Sequence, residues 1–81
     1  MGLPICEKMA REMYFRYKAK NNGHGALPRC QRRYVYRYIA FLMGTRSAPR
    51  PPEGMSEVTR AWLEDIACAV VRAEGKGVMH R

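Results

Sequence analysis

The sequence predicts an all-α fold, a small three-helix bundle with a proline-rich spacer between helices two and three. Three observations predict it. Three segments repeat apolar residues at steps of three and four, the spacing that gathers side chains on one side of an α-helix. Each segment is bracketed by residues that start and stop helices. Pro49, Pro51 and Pro52 interrupt the pattern between the last two. At 81 residues the chain is expected to form a single helical domain over 1–81. A chain of that size hides only about 60–65% of its unfolded surface, so the core must be compact.

The first helix is expected over 4–20. Pro4 suits a first turn, Ile5, Cys6, Met9, Met13 and Tyr17 share a face, and Asn21-Asn22-Gly23 supplies residues that accept the left-handed backbone of a helix end. Lys8, Arg11 and Lys18 fall on its outward arc with Phe15 among them, a ring expected to pack against a neighbouring helix. The second helix is expected over 28–43, from Pro28 to just before Gly44. The ten residues from Thr45 to Gly54 read as an extended, polyproline-like spacer. The third helix is expected over 57–73, capped by the Ser56 hydroxyl and closed by Gly75. Its Val58, Trp62, Leu63, Ile66, Ala69, Val70 and Ala73 form a broad apolar stripe with Trp62 in the core. A frayed tail is expected over 76–81.

Charge is distributed unevenly along this framework. The formal charge is +8, and residues 1–52 carry eleven basic and two acidic side chains against four and five in the remainder. The excess concentrates on helix two. At about 100° per residue, Arg29, Arg33 and Arg37 stack at i, i+4 and i+8 with Arg32 one step aside, and no acid occurs between Arg29 and Arg50. Cys30, Tyr34, Val35, Tyr38, Ile39, Phe41 and Leu42 fall on the opposite arc. A guanidinium presents a planar fork of donors and is weakly hydrated, so an unpaired cluster is suited to phosphate or carboxylate. Tyr36 falls inside the arginine arc, where a ring would serve to stack on an exposed base. Arg46 and Arg50 on the spacer, and Lys8, Arg11 and Lys18 on helix one, would extend the surface. Glu57, Glu64 and Asp65 of helix three are the acids that could fold across it.

Other chemistry has little footing. Cys6, Cys30 and Cys68 are odd in number and widely separated, which argues against a disulfide framework. With His24 and His80 they make no close ligand spacing, so neither a metal nor a cofactor is expected. Cys30 lies beside arginines but has no evident base, and is expected to be a packed small hydrophobe. Glu64 and Asp65 are adjacent and diverge around their helix, and Gly75-Lys76-Gly77 is a helix stop rather than a phosphate loop. Met1-Gly2 opens an imperfect match to a myristoylation signal, with Cys6 where Ser or Thr belongs. Neither a secretory leader nor a spanning apolar run is present, so the expected location is cytoplasmic, in a reducing compartment.

These features point to a binding protein without catalytic machinery or a small-molecule substrate. Its partner would be nucleic acid, DNA or RNA, or else an acidic protein surface; a basic amphipathic helix on anionic lipid ranks third. No helix-turn-helix, zinc-finger or RNA-recognition signature is present, so weak sequence selectivity is expected. In scale the chain resembles small phage and mobile-element proteins that disarm host machinery, anti-CRISPR proteins among them, which would imply an inhibitor or adaptor covering an acidic host surface. Val71, Cys68 and Phe15 are candidates for a homodimer contact.

Overall fold

The computed structural model describes residues 5–20, 27–44 and 47–74. These form three helices, α1 (Ile5–Lys20), α2 (Arg29–Leu42) and α3 (Glu57–Ala73), with no strand among the described residues. The helix ends follow from local chemistry. Pro28 stands at the N-cap of α2 with φ −58° and ψ 155°, and its carbonyl accepts the Arg32 amide at 2.9 Å. A proline there sacrifices no helical hydrogen bond. At the other end the Met43 and Gly44 amides donate to Ile39 and Phe41, and Gly44 turns to φ +77°, which only glycine adopts at no steric cost. For α3, the Ser56 hydroxyl accepts the Thr59 amide at 3.1 Å as expected of the cap. The proposed stop at Asn21-Asn22-Gly23, the closing Gly75 and the tail lie outside the described residues.

The spacer does more than connect. Its tight turn has the Met55 amide on the Pro52 carbonyl at 3.3 Å and Gly54 at φ +86°, the left-handed third position of a type II turn. Arg50 and Pro52 line one cleft with Cys30, Arg33, Tyr34 and Arg37, so the segment runs back alongside α2. Helix α3 therefore starts beside the early part of α2 and advances with it. Tyr34 meets Glu64, and Tyr38 lies within electrostatic reach of Cys68.

Helix α2 is central and packs against both neighbours. Tyr14, Ile39, Leu63, Val35 and Val70 are the largest fully buried side chains, each contributing about 1.5–3 kcal/mol by leaving water. The buried stripe of α1 is Ala10, Met13 and Tyr14, with Tyr17 partly buried beside it. Met13 and Tyr17 are thus where the spacing put them, but Met9 is exposed and the stripe centres on Ala10 and Tyr14 instead. Two frames compete in this helix, and the one carrying the large Tyr14 ring and the small Ala10 buries more surface at closer approach. Ile5 and Cys6 lie outside the described side chains.

A similar shift occurs in α3. Leu63, Ile66, Ala67, Val70 and Val71 are buried, whereas Trp62 is 43% exposed and Val58 81% exposed. Trp62 is thus not a core residue, and Val71, expected to be open for self-association, is. The stripe was wider than two packing neighbours can cover, and its centre falls on the Leu63–Val70 line. Polar contacts tie the helices together as well. The Tyr34 hydroxyl donates to Glu64 at 2.8 Å, and Arg16 makes a two-pronged contact with Glu74 at 3.0 and 3.1 Å.

Candidate nucleic-acid interface

Among the described residues, two clefts flank the arginines of α2. The first, about 610 Å³, lies between α1 and α2 and is lined by Glu7, Arg11, Phe15, Arg29, Arg32, Arg33 and Tyr36. The second, about 230 Å³, lies between α2 and the spacer and is lined by Cys30, Arg33, Tyr34, Arg37, Arg50 and Pro52. Arg33 belongs to both. The cationic surface is therefore continuous around α2 and is completed by Arg11 from α1 and Arg50 from the spacer. A shallower depression on the outer side of α1, lined by Lys8, Arg11, Glu12, Phe15, Arg16 and Ala19, adjoins it. Lys18 is half-buried and lines none of these clefts, and Arg46 lies outside the described residues.

Glu57, Glu64 and Asp65 of α3 line neither of the two α2 clefts. Glu64 accepts from Tyr34 and from Arg60 at 2.9 Å, and Glu57 lies 4.0 Å from Arg60. Glu74, just past α3, holds Arg16. The counter-charge comes instead from α1. Glu7 is 3% exposed, and its Oε2 lies 3.8 Å from the Arg37 Nε. That Nε is buried without a hydrogen-bond partner. Glu7 precedes the buried Ala10 by one helical turn, so correct phasing of α1 would have revealed it. It accounts for one arginine of the arc and leaves the others facing the clefts.

Tyr36 does not occupy the position expected of a stacking ring. It is 7% exposed, packed edge-on against Tyr14 at 5.6 Å and tilted against Phe15 at 6.4 Å. Burial pushes its hydroxyl pKa up, while Arg32 and Arg11 pull it down. On the helical wheel Tyr36 falls between Arg32 and Arg33, and α1 covers that strip of α2. Cys30 is the converse case. Expected to be packed, it is exposed in the first turn of α2 and lines the second cleft. Cys68 is half-buried, and burial pushes its thiol pKa up.

No three described His, Cys, Asp or Glu residues come together in a way that could hold a metal ion. Among the described residues, no helix is long and apolar enough to cross a membrane. Comparison of the chain with protein-family models, curated proteins and solved structures found no match.

Proposed function

We propose that this chain is a non-enzymatic nucleic-acid-binding protein that holds the phosphate backbone with Arg11, Arg29, Arg32, Arg33 and Arg50. One observation carries the reading: arginines from α1, α2 and the spacer converge on adjoining clefts that no acid of α3 lines, Glu57 and Glu64 lying instead against Arg60. Guanidinium forks match phosphate oxygens in geometry and charge. No groove-reading motif accompanies them, so recognition rests on backbone charge and varies little with sequence. A cytoplasmic, reducing setting suits the exposed thiol of Cys30. The test is a fluorescence-anisotropy titration with arbitrary DNA and RNA oligonucleotides at low salt. Absence of binding at micromolar protein would end the proposal.

A second reading is favoured by a separate observation. Val58 and Trp62 expose apolar surface one helical turn apart on α3, which a nucleic-acid partner does not need. An inhibitor or adaptor seated on an acidic host protein, as small phage proteins are, would use both the arginines and this patch. Recovery of one host protein that survives nuclease and moderate salt would support it, and loss of that protein on nuclease treatment would oppose it.

A further inference from the structure

The α1–α2 cleft contains a ring better placed for contact than the buried tyrosine. Phe15 is 46% exposed and lies at the junction of two basic depressions, with Lys8, Arg11 and Arg16 around one and Arg29, Arg32 and Arg33 around the other. Its position is set from behind. Tyr14 meets it edge-on at 5.4 Å and 72°, and Tyr36 at 6.4 Å and 51°. The buried tyrosines thus hold Phe15 in place and leave part of its surface to solvent.

We propose that Phe15 is a base-stacking platform and that the ligand of this surface is single-stranded nucleic acid rather than duplex. The inference rests on the nucleic-acid reading above and deepens it. A strand crossing the α1–α2 junction would place phosphates against Arg11 and Arg32 and turn a base onto the open part of the ring. In a duplex the bases are already stacked on one another and offer no free face. A fixed aromatic ring between cations on both sides is the combination that single-strand binders use, with the cations tracking the backbone and the ring accepting any base. Glu7 and Glu12 also line these depressions. They are fewer than the cations around them, and Glu7 is paired with Arg37.

The decisive experiment compares a short thymidine oligomer, of roughly the 4–16 nucleotides one small domain covers, with an abasic oligomer of equal length and charge. Wild-type protein should prefer the thymidine strand by roughly 5- to 150-fold, the span that one stacked base commands. Phe15→Leu should bring that ratio close to unity without changing the salt dependence, because no phosphate contact is lost. Phe15→Trp, which keeps a ring, should preserve the preference and guards against a folding defect in the leucine variant. Equal affinity of wild-type protein for the two strands, or a ratio unaltered by Phe15→Leu, overturns the stacking role while leaving phosphate binding intact. Tighter binding to duplex overturns the single-strand assignment. Binding to neither strand removes the underlying function as well.

Discussion

Replacing Arg32 and Arg33 together with glutamine tests the phosphate contacts most directly. Among the described residues, six arginines line these two clefts of α2: Arg11, Arg29, Arg32, Arg33, Arg37 and Arg50. Arg37 is engaged by Glu7, which leaves five to displace counterions. For a single strand each neutralised phosphate contributes about −0.7 to the log–log slope of affinity against salt, so the wild-type slope should be about −3.5. Raising salt from about 50 to about 200 mM then weakens binding roughly 100-fold. With two contacts removed the slope should relax to about −2, and the same change in salt costs only roughly 20-fold.

Glutamine matches arginine closely in helix propensity, and neither side chain belongs to the core cluster. Circular dichroism should therefore show the same helix content and a similar melting temperature. The assay is anisotropy at four or more salt concentrations with both proteins. A wild-type slope shallower than about −1, or a double variant that binds with the wild-type slope, would refute the placement of phosphates on this surface.

Tyr34 provides a pH-dependent test of the α2–α3 contact. Burial, first, and the hydrogen bond to Glu64 push its pKa from 10.0 to about 12. A raised folded-state value stabilises the fold fully below pH 10 and loses that contribution as pH climbs through about 12, so stability should fall by about 2–3 kcal/mol across this window. Tyr34→Phe should flatten that loss in alkaline denaturation curves, and an unchanged curve would count against the contact. Thiol labelling should modify Cys30 well before Cys68, since Cys30 is exposed whereas burial holds Cys68 in its unreactive protonated form; peptide mapping by mass spectrometry reads the order, and faster modification of Cys68 would contradict the packing. Leu63→Ala should cost about 2–5 kcal/mol in urea denaturation, whereas Trp62→Ala should cost less than about 1.5, because Trp62 keeps 43% of its surface in water. Equal losses would mean that α3 is rotated from the orientation described.

Helix existence and helix ends were readable because each depends on few neighbours in sequence. Ser56 capping Thr59 and Gly44 in the left-handed region are local facts, and both follow from residue type. Helix phase was harder, because it depends on which neighbour arrives and at what angle. In α1, Met9 and Ala10 are adjacent and both apolar, so periodicity alone admits either frame. In α3, Trp62 and Leu63 pose the same ambiguity, and hydrophobicity wrongly favours the larger residue. The candidate site shows the same division. The basic arc was visible as a run of arginines without acids, but Tyr36 lies on the strip that α1 covers, and Phe15 became its exposed counterpart. The pairing of Glu7 with Arg37 depends on the contact between two helices and leaves no local trace.

The arginines of α2 also bear on what the helix is selected to do. Arg29, Arg33 and Arg37 are like charges four residues apart, an arrangement that costs a few tenths of a kcal/mol per pair in a bare helix. Arg29, Arg32 and Arg33 crowd its first turns, where no acid and no side-chain cap is present and where the helix macrodipole is already positive. A helix under selection for stability alone would place carboxylates there, as α3 does with Glu57 behind Ser56. The dipole and the guanidinium groups instead reinforce one another, and free backbone amides at such an end add further donors for an anion. On the nucleic-acid reading proposed above, a polyanion on this surface would relieve that electrostatic cost, and the sequence would trade stability of the isolated fold for attraction to a negatively charged strand. Glu7 limits that cost at Arg37, whose Nε is buried 3.8 Å from the Glu7 carboxylate.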